Sequence, residues 1–161
     1  MKSDNVENDP PPTPRPVPTL AVGQSATFKV YNPDDDSDDD SNAATMQVTV
    51  GGLEYITEEQ ADPIKPGKTY LKAKLTIKNV GKVPGDFMAY GCMQWASATT
   101  PAQDVDVATP TGELNLDTRY EPGQQATGSI VLTIPERGGM IQHDVNPVLT
   151  GPAAWAVKLP A

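Results

Sequence analysis

Residues 69–80 read T-Y-L-K-A-K-L-T-I-K-N-V, and apolar and polar side chains alternate along most of this stretch. Because successive side chains of a β-strand point to opposite faces, a strand here would have one apolar and one polar face. The apolar row consists of Leu71, Ala73, Leu75 and Ile77, with Asn79 at its end, and the polar row of Lys72, Lys74, Thr76 and Lys78. The stretch is therefore predicted to be a strand with one buried face and one face in water.

Shorter stretches on either side show the same alternation, and no long helical period is found in the chain. They are rich in Val, Thr, Ile and Tyr and are separated by Gly, Pro, Asn and Asp, which is typical of antiparallel sheets. The predicted strands are residues 25–31, 46–50, 130–134 and 155–159, and the apolar run 87–95 is also interpreted as a strand. Pro-Gly pairs within 65–68 and 121–124 predict type II turns, because Pro presets the first φ and Gly accepts a positive second φ.

About seven strands of this kind predict an all-β domain in which two antiparallel sheets pack face to face, an immunoglobulin-like β-sandwich. A β-barrel is the alternative architecture. Cys92 is the only cysteine, so an internal disulfide is excluded and the fold must depend on packing. We expect Trp95 and Trp155 to fill the space between the sheets.

The chain is predicted to consist of a stalk and one folded domain. Residues 1–19 are rich in proline and poor in apolar side chains, which predicts a disordered, extended linker. Residues 20–161 are predicted to form the sandwich, with an acidic loop at 32–43. No apolar export signal follows Met1, and the composition of the stalk favours a native start that carries such a signal.

The charge of the chain restricts its partners. The formal net charge is −9, which argues against a nucleic acid partner because a phosphate backbone would be repelled. No run of about 18 apolar residues is available to span a bilayer. Contact with a membrane is therefore expected only through a lipid anchor upstream of Met1.

Several short motifs make the sequence resemble a known family. The strand at 69–80 ends in Asn-x-Gly and is preceded by a Gly, and further matching elements are Val22-Gly23-Gln24, Pro84-Gly85-Asp86-Phe87, Pro122-Gly123-Gln124, Thr127-Gly128 and Ile134-Pro135. This pattern resembles a widespread family of exported Gram-positive domains of unknown function, which includes relatives of a mycobacterial secreted immunogenic protein with an immunoglobulin-like fold. The resemblance covers most of residues 21–159 and implies export, commonly as a lipoprotein. It carries no catalytic signature onto any residue of this chain, and the acidic insertion at 34–40 departs from the family pattern.

Two groups of residues are candidate metal ligands. Asp34, Asp36, Asp38 and Asp40 lie in an acidic run that offers hard oxygen ligands, which predicts a weak calcium site, although a solvated loop explains the same run. The spacing does not fit an EF-hand, which needs Gly at its sixth position and Glu at its twelfth. Met140 and His143 are candidate copper ligands, because thioether and imidazole groups suit Cu(I). The neighbouring soft residues Met88, Cys92 and Met93 are interpreted as core residues.

The sequence offers little for catalysis. His143 is the only histidine, and Asp144 beside it would point to the opposite face of a strand. A nucleophile elbow, a phosphate-binding loop and a zinc-binding pair of histidines are all missing. The chain is therefore predicted not to be an enzyme, and no cofactor is expected beyond a weakly bound calcium ion.

Tyr55 and Tyr120 lie near predicted turns and are interpreted as exposed anchors for a partner. The function predicted from the sequence is that of an extracellular, surface-tethered interaction domain that binds a protein or a glycan. A secreted inhibitor or immunity-type factor, and a calcium or copper binding protein, are the alternatives. The expected location is the cell envelope or the extracellular space, with a lipid anchor on the native protein.

Overall fold

The described part of the chain is made of β-strands. The computed structural model describes residues 17–30, 43–57, 69–144 and 154–161, and these residues contain twelve strands and no helix. The strands are β1 Thr19–Leu20, β2 Ser25–Val30, β3 Ala44–Ile56, β4 Thr69–Asn79, β5 Gly85–Phe87, β6 Met93–Ala96, β7 Gln103–Asp104, β8 Asp106–Ala108, β9 Thr118–Tyr120, β10 Gln125–Ile134, β11 Met140–His143 and β12 Trp155–Lys158. The prediction of about seven strands is too low, because strands of two or three residues are too short to show an alternation. The acidic run 34–40, the segment 1–16 and the turn 65–68 lie outside the described residues.

Two five-stranded sheets build a sandwich. Their strand orders are β1-β12-β11-β6-β7 and β2-β3-β4-β10-β8, and β5 and β9 form a small two-stranded sheet. The strands pair in antiparallel fashion except for β1, which runs parallel to β12 with Thr19 opposite Ala156. The all-β sandwich predicted from the sequence is confirmed, with one parallel pair at an edge that was not predicted.

The core lies between the two large sheets. Strands β4 and β10 are neighbours, in register from Thr69 opposite Ile134 to Lys78 opposite Gln125. Their inward rows are at most 5% exposed and consist of Leu71, Ala73, Leu75, Ile77, Ile130, Leu132 and Ile134. The facing sheet contributes the buried side chains of Met93, Trp95, Ile141, Trp155 and Val157. Trp95 and Trp155 therefore occupy the core, as the sequence predicts.

The outer face of the sheet that contains β4 and β10 is more buried than its sequence suggests. Tyr70 on β4 and Val131 on β10 are buried there, and half-buried Ile56 packs against them. The outward positions of β4 otherwise carry partly or fully exposed lysine and threonine side chains.

Two turns of the same kind lead into β2 and β10. Residues 21–24 and 121–124 each have a glycine with positive φ in the third position, +91° and +87°. In each turn the fourth backbone N–H donates to the first carbonyl, at 3.0 and 2.9 Å. The glutamine side chain in the fourth position accepts a hydrogen bond from the first backbone N–H, at 2.9 and 2.8 Å. Glycine at this position with positive φ is the mark of a type II turn, so the turn predicted at 121–124 is confirmed.

One local prediction is wrong. The apolar run 87–95 is two strands, β5 and β6, separated by a turn in which Cys92 N donates to Ala89 O at 3.0 Å. Both faces of the run are rich in apolar residues, so alternation could not reveal the break.

Candidate functional site

The connection between β5 and β6 presents two large apolar side chains to solvent. Residues 88–92, here called the 88–92 loop, lie between the buried ends Phe87 and Met93. Met88 is 53% exposed and Tyr90 is 70% exposed, whereas Ala89 between them is fully buried. An exposed aromatic residue at the tip of a loop is a common feature of binding surfaces.

One carboxylate holds the tip of this loop. Asp117 accepts hydrogen bonds from two successive backbone amides, Ala89 N to Oδ1 at 2.8 Å and Tyr90 N to Oδ2 at 3.1 Å. The backbone N–H of Asp117 donates to the side chain of Asn115 at 3.0 Å, which fixes the segment that carries the carboxylate. Bonds from neutral donors to an ionised acceptor are stronger than those between neutral groups, so the backbone beneath Tyr90 is held firmly.

A buried histidine holds the start of the loop. The Nε2 atom of His143 lies 2.8 Å from the carbonyl oxygen of Met88. The end of the loop is tied to the residue that follows β11, because Asp144 N donates to Cys92 O at 2.8 Å. The 88–92 loop is therefore fixed along its length by β11 on one side and by Asp117 on the other.

His143 itself is enclosed by aromatic rings. Its imidazole stacks on Phe87 with ring centroids 5.3 Å apart and on Trp155 at 5.2 Å, and Phe28 approaches edge-on at 5.6 Å. Burial lowers the pKa of His143, outweighing the hydrogen bond to Met88 and the carboxylates of Asp144 and Asp117, which raise it. The imidazole is therefore neutral in the folded protein near neutral pH.

Cys92 and Tyr120 near the loop also favour their neutral forms. Burial raises the pKa of the Cys92 thiol, and Asp117 and Asp144 raise it further. Burial, with a contribution from Asp117, raises the pKa of Tyr120 to about 12. Cys92 therefore stays a thiol at neutral pH, and a thiol is a poor nucleophile and a poor metal ligand.

Neither of the tyrosines predicted as exposed anchors is free at the surface. Tyr120 is only 3% exposed, and its hydroxyl donates to the carbonyl of Leu116 at 2.8 Å, so the expectation of an exposed side chain is wrong. This arrangement is similar to the tyrosine corner of immunoglobulin-like sandwiches, in which a tyrosine hydroxyl bonds to backbone a few residues upstream.

Tyr55 is half-buried and bonded within the protein. Its hydroxyl donates to Pro160 O at 2.5 Å and accepts from Gly138 N at 2.8 Å, and the guanidinium of Arg137 lies 4.6 Å from its ring centre. A bulge between Val50 and Gly52 in β3 moves the later residues of this strand out of the alternation seen at 46–50. Both tyrosines thus connect separate segments of the fold.

The two candidate copper ligands do not converge. Met140 and His143 are three residues apart on β11, so their side chains point to opposite faces of the sheet, and only His143 is buried. Within the described ranges, no three His, Cys, Asp or Glu side chains are grouped closely enough to hold a metal ion. The proposed calcium ligands Asp34, Asp36, Asp38 and Asp40 lie outside the described residues.

Sequence reasoning missed the residues that form the exposed tip. The sequence predicts Met88 to be a core residue together with Cys92 and Met93, yet only the latter two are buried. Gly91 directly after Tyr90 is a signal for a break in the apolar run, since glycine inside a strand pattern often marks a bend.

No helix in the described ranges has the length and apolar character needed to traverse a bilayer.

Comparison with known proteins places this architecture among bacterial β-sandwiches. No protein-family model and no curated protein matches the chain. Among solved structures, the secreted protein MPT63 of Mycobacterium tuberculosis matches 88% of this chain and 97% of its own, with 14% identity and a TM-score of 0.58. A β-sandwich protein of Clostridium difficile matches 94% of this chain and 100% of its own, with 12% identity and a TM-score of 0.54.

A third similar structure is a candidate lipoprotein of Bacillus subtilis. It matches 71% of this chain, which spans only 36% of that longer protein, with 13% identity and a TM-score of 0.51. At these identities the comparison concerns the fold alone. The resemblance to a family of β-sandwich domains that includes relatives of a mycobacterial secreted protein is confirmed as a likeness of fold.

Proposed function

We propose that this chain is an exported, surface-tethered interaction domain without catalytic activity, and that it binds a protein or glycan partner through the 88–92 loop. The observation that carries the proposal is the exposure of Tyr90 on a backbone held by Asp117 and His143. A fixed loop loses little conformational entropy on binding, so more of the contact energy contributes to affinity.

The chemistry of the loop tip suits recognition. Tyrosine supplies a large amphipathic surface with few rotatable bonds, and it is enriched among the residues that dominate binding energy. Met88 beside it adds a flexible, polarisable apolar contact that adapts to a partner surface. A tyrosine ring also stacks against the apolar face of a sugar, which keeps a glycan among the candidate partners.

Export is supported by composition and by the fold. One protein of similar fold is named as secreted and another as a candidate lipoprotein. The Pro-rich composition of residues 3–18 is typical of an extended linker that carries a domain away from an anchor. Reading the native gene upstream of Met1 tests this part of the proposal: a signal sequence that ends in a lipidation cysteine supports it, and a cytoplasmic start contradicts it.

Site-specific photo-crosslinking tests the role of the loop. A photoreactive phenylalanine analogue replaces Tyr90 in one variant and Val22 in a control variant, and both are added to intact cells of the native source. Val22 is 56% exposed, and it lies with Ala96 and Met140 at the end of β6 and β11 that is remote from the 88–92 loop. We expect discrete adducts from position 90 and none of the same mass from position 22.

Competition makes the test specific. An excess of the unmodified protein should suppress the adducts, whereas an excess of a Tyr90→Ser variant should not, because it lacks the aromatic anchor. Equal thermal stability of the two competitors excludes misfolding as the reason that the Tyr90→Ser variant fails to compete. Adducts of equal yield at both positions, or equal suppression by both competitors, would contradict binding through the 88–92 loop.

A further inference from the structure

We propose that His143 makes the 88–92 loop sensitive to pH, so that the loop is fixed at neutral pH and opens locally in mildly acidic medium. The biological meaning of this switch rests on the proposed function, because it would weaken binding by releasing Met88 and the start of the loop next to Tyr90. The physical switch itself depends only on the surroundings of the imidazole.

The hydrogen bond to Met88 determines which nitrogen carries the proton. A carbonyl oxygen can only accept, so the Nε2 atom of His143 must be protonated and Nδ1 must hold the lone pair. Nδ1 is buried and has no hydrogen-bond partner among the described residues. A second proton would therefore add an N–H donor at Nδ1 that faces no acceptor within this part of the structure.

The surroundings of the ring cannot solvate a charge. The imidazole is 2% exposed and is enclosed by Phe28, Phe87 and Trp155. The indole N–H of Trp155 is itself buried without a partner among the described residues, so this part of the core is poor in acceptors. Placing an unpaired positive charge there is costly, and the ring can gain a proton readily only after it reaches water.

The charged groups on the adjoining segments do not remove this cost. Asp117 and Asp144 attract a proton to the ring, but less strongly than burial opposes it. Among the described residues, the remaining titratable or charged groups on the strands packed against His143 and at their ends are the buried neutral thiol of Cys92 and the exposed side chains of Lys29, Asp86 and Lys158.

Exposure of the imidazole would open the loop. Moving the ring out from between Phe87 and Trp155 breaks the hydrogen bond to Met88 and displaces the strand end that bonds to Cys92. The bonds from Ala89 and Tyr90 to Asp117 lie on the other side of the loop and do not involve the ring. Opening is therefore expected to remain local to the histidine side.

The direction of the pH effect follows from the linkage between proton binding and loop opening. The closed state has a lowered pKa for His143, while the open state has the ordinary value of about 6.5, so the open state binds more protons at mildly acidic pH. Closure is complete above about pH 6.5 and is weakened as the pH falls below it. Between pH 7.5 and 5.5 the open population should rise about tenfold.

Amide hydrogen exchange of the full chain, free of any partner, measures this opening. After correction for intrinsic rates, we expect the protection of the Cys92 and Asp144 amides to fall about tenfold from pH 7.5 to pH 5.5. The amide of Leu75 in β4 serves as a reference for global unfolding, which also exposes His143, and its protection should stay well above that of Cys92 and Asp144 at each pH. Unchanged protection at Cys92 and Asp144, or protection there that is no lower than that of Leu75, would overturn the proposal.

A His143→Gln variant is the matched control, because its side chain amide can still donate to Met88 O but does not titrate. In this variant the protection of Cys92 should not depend on pH, and a persistent tenfold loss would overturn the role of His143. If the variant does not fold, the imidazole signal of the wild type decides, since His143 is the only histidine in the chain. An apparent pKa below 6.5 supports the proposal, and one at or above 6.5 contradicts it.

The two proposals fail separately. Exchange is measured without a partner, whereas crosslinking is measured at constant neutral pH. If the loop responds to pH but gives no specific adduct at position 90, the pH switch is supported and the binding role is contradicted.

Discussion

Asn79 has no exposed surface and connects three segments at the end of β4. Its Nδ2 atom donates to the carbonyls of Val83 and Tyr120, each at 2.9 Å, and its Oδ1 atom accepts from Gly81 N at 2.9 Å. The sequence places Asn79 at the end of a buried apolar row, which correctly predicts its burial. The bonds could not be predicted, because Tyr120 is 41 residues away and reaches Asn79 only through the fold.

Replacing Asn79 by alanine should strongly destabilise the domain. The change removes three hydrogen bonds and leaves their backbone partners without the side chain that satisfies them, so we expect a loss of about 3 kcal/mol in the free energy of unfolding. Urea denaturation measures this loss. An Asn115→Ala variant is the control: this exposed residue makes one bond to Asp117 N and should cost less than about 1 kcal/mol. Equal losses in the two variants would contradict the structural role of Asn79.

At the scale of elements, the connection between β10 and β11 depends on two adjacent glycines. Gly138 and Gly139 both have positive φ, +86° and +74°. A Cβ atom on Gly138 would meet nothing within 4 Å, whereas one on Gly139 would lie 2.5 Å from Ala96 O and 2.9 Å from the Trp95 ring. The first position requires glycine for its backbone conformation only, and the second also because another strand approaches closely.

This pair gives a prediction with an internal control. Gly138→Ala should cost about 1 kcal/mol, the strain of a left-handed conformation. Gly139→Ala carries the same strain plus an overlap with β6, and it should cost about 2 kcal/mol more than its neighbour. Chemical denaturation of both variants measures the difference. Equal losses would show that the chain between the sheets does not approach Ala96 as described.

Elements with strong local signals were predictable and those without were not. The alternation in β4 and β10 and the Pro-Gly turn at 121–124 specify a strand or a turn by themselves. The break at the 88–92 loop is marked only by Gly91, because Met88 and Tyr90 are as apolar as the buried residues on either side. The backbone of Tyr90 is held by Asp117, which lies 27 residues further along the chain.

For the whole molecule, the sequence predicts the sandwich and its buried rows but not the pairing of strands. Strands β4 and β10 are distant in the chain yet adjacent in one sheet, while β10 and β11 are consecutive yet lie in different sheets. Pairing of this kind depends on the sum of many long-range contacts. The candidate site was least predictable, since it arises where β5, β6, β11 and the segment around Asp117 meet.

The proposed function requires that the free protein already holds Tyr90 in place. Backbone 15N relaxation at neutral pH measures this property directly. We predict that the order parameter of the Tyr90 amide is about 0.85, equal to that of amides in the centre of β4, and that an Asp117→Ala variant lowers it. A value below about 0.6 in the wild-type protein would show a flexible loop and would contradict the account of a preformed binding surface.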